Sequence, residues 1–345
     1  MKILVVGDIH WSTYSSIVRS RGKNFSTRLE YLIKSMNWVE QISREYGCDE
    51  EIFLGDTFDK AELSSEEITA LSEIEWNNSC RLRHFIVGNH ESGISSLIYN
   101  STQALHKVGV VEDTPYIYPL DYKTEILFLP YITEDNRKPL IEYLKDRNSD
   151  RKLIVCSHND IKDFQMGMFL SKTGFSVDEI NDNCDLYLNG HLHNAGYVNK
   201  KLINVGVLCG QNFSEDAFRY EHHIMILDTD TLQYSFIENP YALNFYKLTI
   251  GMEQDLSALD ALKNNAVVSI RCNDDLKSEL IKKLNTNTKI VESKVMYYSD
   301  IVSSGDELGT TDLQFADHLN KFKEFVIDKL GSTVTVLEEL EEVCK

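Results

Sequence analysis

Ile3-Leu4-Val5-Val6-Gly7-Asp8-Ile9-His10 decides how this chain is read: four apolar residues stop at a glycine and give way at once to an aspartate and a histidine. So short and so apolar a run reads as a strand buried on both faces, and the glycine lets the backbone turn sharply where it ends. The arrangement recurs. Glu51–Leu54 runs into Gly55-Asp56-Thr57-Phe58-Asp59, and His84–Val87 into Gly88-Asn89-His90-Glu91. Leu153–Cys156 leads to Ser157-His158, and Leu186–Leu188 to Asn189-Gly190-His191-Leu192-His193. Five of the ten histidines (His10, His90, His158, His191, His193) fall in these endings, which a random scatter would rarely produce. In a layered α/β sheet the carboxyl ends of the strands are where ligands bind.

Between these strands the apolar period changes to that of helices. Ser26 can cap a helix reaching Tyr46, with Leu29, Leu32, Ile33, Met36, Val39 and Ile42 on one face. Ser64-Ser65-Glu66-Glu67 offers a capping box before a helix through Ile74. Glu125–Pro130 and Leu202–Leu208 read as further strands, and His223–Leu227 with Leu232–Ile237 as a closing hairpin. Strands alternating with helices predict a layered α/β domain.

Glu238-Asn239-Pro240 sets the expected boundary of a domain over residues 1–240. A small α+β unit is expected over 241–302, from a strand at Ala266–Arg271, a helix at Asp274–Leu284 and a strand at Lys289–Tyr297. A helical segment over 303–345 carries an apolar stripe of Phe315, Leu319, Phe322, Val326 and Leu330.

The chain has 345 residues, 54 of them acidic and 35 basic, for a formal charge of −19. That balance argues against indiscriminate coating of nucleic acid or anionic lipid, although bound divalent cations can supply positive charge locally. No run approaches the ~18 apolar residues that span a bilayer, so no membrane association is expected. The seven cysteines form no CxxC pair and read as reduced thiols of a cytosolic compartment, or of a host's cytoplasm for a viral chain.

Two aspartates, an asparagine and several imidazoles without thiolates suit Mn²⁺, Fe²⁺ or Zn²⁺. Seven such groups exceed one tetrahedral site and fit two ions sharing a carboxylate. Such a pair would clamp a phosphate and acidify a water between them.

The ordered set D-x-H, G-D-x-x-D, G-N-H-E, a lone histidine after an apolar strand, and G-H-x-H resembles the calcineurin-like metallophosphoesterase superfamily over roughly residues 1–240. Asp8-Ile9-His10-Trp11, Gly55-Asp56-Thr57-Phe58-Asp59 and the chain length look most like the SbcD-type nuclease subunit of double-strand-break repair. The resemblance implies a β-sandwich flanked by helices, a small capping domain and C-terminal helices that dock an ATPase. It implies that Asp8, His10 and His193 hold one metal, that Asn89, His158 and His191 hold the other, and that Asp56 bridges them. His90 would face the phosphate as the catalytic histidine. Many relatives carry a histidine where Asp59 stands, so Asp59 is given no catalytic role. Two divalent ions, Mn²⁺ first among them, are the implied cofactors. DNA, a coiled-coil SbcC-type ATPase and a second copy of the chain are the implied partners. The alternatives are a general metallophosphatase or cyclic-nucleotide phosphodiesterase, and a non-catalytic scaffold of the same fold.

Outside the motifs, Arg19, Arg21 and Lys23 in the loop Ser12–Ser26 read as having no opposing acid, and the loop could track a nucleic-acid backbone or simply be solvated. Trp11, Tyr14 and Phe25 beside them could stack on bases, though core packing is the simpler use. His84, His106, His222 and His223 read as structural histidines.

Overall fold

The computed structural model describes residues 1–298 except 16, 94, 95, 148, 167, 168, 198 and 216. Met1–Val295 form one compact unit; the second, Met296–Lys345, lies almost wholly outside the described residues, as does the stripe Phe315–Leu330.

In chain order the first strands are β1 (Lys2–Val6), β2 (Glu50–Phe53), β3 (Leu82–Ile86), β4 (Val110–Glu112), β5 (Tyr116–Pro119) and β6 (Thr124–Leu129). They are followed by β7 (Lys152–Ser157), β8 (Leu186–Asn189), β9 (Gly196–Tyr197), β10 (Leu202–Asn204), β11 (His223–Asp228) and β12 (Tyr234–Glu238). Twelve strands make two sheets, ordered β12-β11-β1-β2-β3-β4 and β9-β10-β8-β7-β6-β5. The runs β1-β2-β3-β4 and β10-β8-β7-β6 are parallel, so within each sheet several carboxyl ends lie along one edge.

Alternate residues of one strand serve different layers, as a pleat with a period of two requires. Ile3 and Val5 pack between the sheets with Ile52, Ile154 and Leu188, whereas Leu4 and Val6 face Leu29, Leu32 and Val39 of helix α1 (Thr27–Tyr46). On the far side Leu127, Val155 and Tyr187 meet Leu140 and Ile180 from α3 (Leu140–Tyr143) and α4 (Val177–Asn183). The result is the expected β-sandwich flanked by helices. Ser26 caps α1 by accepting from the Leu29 amide, and Gly47 ends it in a left-handed turn. Ser64 and Glu67 form the expected capping box, but α2 covers only Ser65–Leu71.

A three-stranded sheet follows, built from β13 (Asn244–Ile250), β14 (Ala266–Cys272) and β15 (Ile290–Tyr297), with α5 (Lys277–Thr286) between the last two. β13, parallel to β14, was not legible in the sequence. Its Leu243 and Phe245 flank join the core beneath α1.

One strand is shorter than its apolar run predicts. Of Leu202–Leu208 only Leu202–Asn204 is strand; Val205 still donates to the Asn189 carbonyl, and Gly206, at φ +81°, then turns the chain away. The segment beyond it then bonds to the turn after β1, Leu208 N–H donating to the Asp8 carbonyl at 2.7 Å. No described helix is long and apolar enough to cross a membrane.

Candidate metal centre

The turns after β1, β2, β3, β7 and β8 converge where the two sheets' carboxyl ends meet. The His10 amide donates to the Asp56 carbonyl at 2.8 Å, joining the first two turns. The His191 amide donates to Asp8 Oδ1 at 2.9 Å, joining one sheet to the other. His10, Asp56 and His191 sit at φ 50°, 45° and 68°, a left-handed conformation that costs about 1–3 kcal/mol per residue and is kept only where the surroundings enforce it. Gly55, at φ +99°, is where a side chain would run into the His158 ring.

The seven residues expected to bind metal come together in two groups. In the first, the Nε2 atoms of His10 and His193 face each other at 2.9 Å, and each lies 3.9 Å from Asp8 Oδ2. In the second, His158 Nε2 is 3.2 Å from Asp56 Oδ2 and 3.1 Å from Asn89 Oδ1, and His191 Nδ1 is 3.0 Å from that same asparagine oxygen. Asp56 Oδ2 is also 3.8 Å from His10 Nε2, so this carboxylate adjoins both groups. His90 stands at the open side, its ring 41% exposed and its Nε2 4.0 Å from Asp56 Oδ2.

The donor set fits a pair of divalent cations. Asp8 Oδ2 is buried and has no hydrogen-bond partner, which is costly unless a cation meets it. All the facing atoms are oxygen or imidazole nitrogen. His158 Nδ1 bonds the Leu54 carbonyl at 2.7 Å, which leaves Nε2 turned inward. Burial opposes a charge on His158, but the Asp56 and Asp8 carboxylates outweigh it and push its pKa up to about 10. A divalent cation would have to displace that proton. Burial alone would raise Asp56, yet the neighbouring His158 holds it far below the usual carboxylate range.

The sequence did not disclose what stands behind these ligands. Asp59 Oδ1 lies 3.0 Å from His10 Nδ1, Glu215 Oε1 2.6 Å from His193 Nδ1, and Asp160 Oδ1 3.2 Å from His191 Nε2. Such carboxylates fix the tautomer and orientation of a metal-binding imidazole. Asp59, which was given no catalytic role, thus orients His10. Asp160 follows His158 by two residues and could have been suspected; Glu215 sits in a polar loop with no signal of its own. Glu91 is buried and accepts from the Phe58 and Gly88 amides at 3.0 and 2.6 Å, tying the second and third turns. Burial, reinforced by the Asp56 charge, pushes Glu91 up to about 7.

Outside the site one sequence expectation is corrected, and the core reading of Trp11 is borne out. Arg21 does have an opposing acid, Glu66 of α2, at 2.7 Å, and Ser20 Oγ donates to Glu292 of β15 at 2.9 Å, so this loop is fastened to the protein. Trp11 is 1% exposed and donates to the Glu67 carbonyl, which leaves no face for a base. His84 and His222 are structural as expected: His84 lies between Glu112 and Glu50, and His222 bonds the Val207 carbonyl.

No curated protein matches the sequence significantly. Among solved structures the chain is similar to an archaeal phosphodiesterase, at 13% identity over 69% of this chain and 99% of that one, with a TM-score of 0.34. It is also similar to a dimetal phosphatase from Danio rerio, at 12% identity over 69% and 99%, with a TM-score of 0.39. A sequence model described as calcineurin-like phosphoesterase matches residues 1–195, more than half of the chain, including all five strand endings. With its ligand-type side chains gathered at the strand ends, the chain belongs to the calcineurin-like phosphoesterase family, hydrolases of phosphoester bonds.

Proposed function

We propose that the protein is a two-metal phosphodiesterase that cleaves DNA, the nuclease subunit of an SbcCD-like repair complex. The observation that carries this reading is the cavity of about 330 Å³ onto which the metal groups open. Its described lining includes Asp56, Asn89, His90, His191 and His193, then Phe164, Asn194, Asn212 and Ser214, and no lysine or arginine. A phosphomonoester dianion would find no fixed cation on these walls beyond the metals. A diester carries a single charge, and neutral amides beside an aromatic ring suit its sugars and bases.

In this reading Asp8, His10 and His193 hold one ion, Asn89, His158 and His191 the other, and Asp56 is shared. Bound Mn²⁺ would act as a Lewis acid on the phosphate and lower the pKa of water in the cleft. Asp59 and Glu215 keep the Nε2 atoms of His10 and His193 turned inward. His90 is steered by the Asp59 carbonyl, 3.1 Å from its Nδ1, so that Nε2 points into the cavity. There it can stabilise charge on the phosphate or give a proton to the leaving oxygen.

The acidic chain, at −19, binds DNA weakly by itself, and a coiled-coil ATPase partner or a second copy supplies the basic surface. Its place of action is the cytoplasm. The test is cleavage of single- and double-stranded DNA with Mn²⁺, Mg²⁺ or Zn²⁺, against turnover of p-nitrophenyl phosphate. Mn²⁺-dependent DNA cleavage is expected; strong monoester turnover with no DNA cleavage would instead identify a general phosphatase.

A further inference from the structure

Resting on the two-ion reading of the site, we propose that Arg28 is the positioning residue that holds His10 and His193 on the same ion. Arg28 is the second residue of α1, and its guanidinium is fully buried. Nη2 donates to the His10 carbonyl at 3.1 Å, Nη1 to the Gly210 carbonyl at 2.9 Å, and Nε to Ser12 Oγ at 3.2 Å. All three acceptors are neutral. Burying a charge against neutral acceptors is expensive, and a core needing only filled space would place a leucine or methionine there.

What the guanidinium does is grip two chain segments, and each leads to one histidine. On the first, it holds the carbonyl of His10 itself, whose left-handed backbone aims the ring. On the second, Gly210 is followed by Gln211, whose amide donates to Glu215 Oε2 at 2.7 Å while Glu215 Oε1 holds His193 Nδ1. Gln211 Nε2 also donates to Asp59 Oδ1, the carboxylate behind His10. A planar fork can hold two carbonyls at a fixed separation, which a single ammonium cannot. The facing Nε2 atoms of His10 and His193 are set by that separation. None of the three guanidinium bonds reaches Asn89, His158 or His191, so the second ion is independent of it.

The experiment is a Mn²⁺ titration of the full chain, followed by calorimetry and electron paramagnetic resonance, for the parent, Arg28→Met and Arg28→Lys. The parent should bind two ions. Arg28→Met should keep one at parental affinity and bind the other about 10–100-fold more weakly, the range seen when outer partners of metal ligands are lost. Should Arg28→Met not fold, Arg28→Lys decides the matter, since it keeps the charge and loses the fork; the same one-ion weakening is expected. Both ions held at parental affinity, even with a lowered melting temperature, would show a merely structural arginine and overturn the proposal. A parent that binds no manganese would end the metal reading and this proposal together. A parent that binds two ions but leaves DNA intact would end the nuclease reading alone.

Discussion

At the amino-terminal ends of β2 and β3, Glu50, Glu51, Arg83 and His84 are buried with Glu40 and Glu112; beyond the carboxyl ends of the same strands lie Asp56 and Asn89 with the histidines. The first cluster closes on itself. Arg83 reaches Glu40 at 3.0 Å and Glu51 at 2.5 Å, and His84 sits 2.7 Å from Glu112 and 3.5 Å from Glu50. In the second, carboxylates and imidazole nitrogens face one another with no lysine or arginine among them. Charge that protein cations neutralise holds a fold together, whereas ligand atoms left facing each other await an ion. Burial alone does not tell the two apart; the presence of a basic partner does.

Removing Asp56 should widen that contrast most. Asp56→Ala takes away the carboxylate that adjoins both groups, and metal-dependent hydrolysis should fall on the order of 10³-fold, several kcal/mol of transition-state stabilisation. Calorimetry should show Mn²⁺ binding lost with it. A variant that still binds two ions and turns over normally would break the comparison at its centre.

His90→Gln should lower DNA cleavage about 10²–10⁴-fold while both ions remain bound, because His90 lies at the open side of the groups. Equal cleavage by variant and parent would remove His90 from the chemistry. Glu215→Gln should weaken Mn²⁺ binding about 10–100-fold by freeing the back of His193. An unchanged titration would mean the ring is held without that carboxylate.

The smallest effect is expected at the closed end. Glu40 and Glu51 share the one guanidinium of Arg83, and burial together with the Glu51 charge pushes Glu40 up to about 7 from 4.5. The folded state therefore holds a proton that the unfolded chain has released, and stability falls as pH rises from about 4.5 through about 7. Glu40→Gln has no such proton to lose. Melting temperatures measured across that range should show a flatter profile for the variant, with differences of about 3 °C. Parallel profiles would show that Glu40 stays ionised throughout.

Much of the sandwich was legible because its strands are short, apolar and stopped by glycine, and because α1 carries an amphipathic face between a serine cap and Gly47. β13 escaped notice: Asn244-Phe245-Tyr246-Lys247-Leu248-Thr249-Ile250 mixes polar and apolar residues and follows a turn. Leu202–Leu208 was read too long, since apolar residues continue past the point where Gly206 turns the backbone. Arg21 was thought unopposed because Glu66 is distant in sequence and close only once α2 packs beside the loop.

The sequence alone determined the ligand types. Aspartate, asparagine and histidine at the ends of apolar runs are written residue by residue, and their chemistry selects divalent cations whatever the fold. Only the tertiary structure decided which of them meet, because contact between turns from two sheets depends on strand order and sheet packing. The same holds for what stands behind each ring. Asp59, Asp160, Glu215 and Arg28 matter through the direction of one hydrogen bond each or of a few, and direction is a property of three-dimensional arrangement that no spacing along the chain encodes.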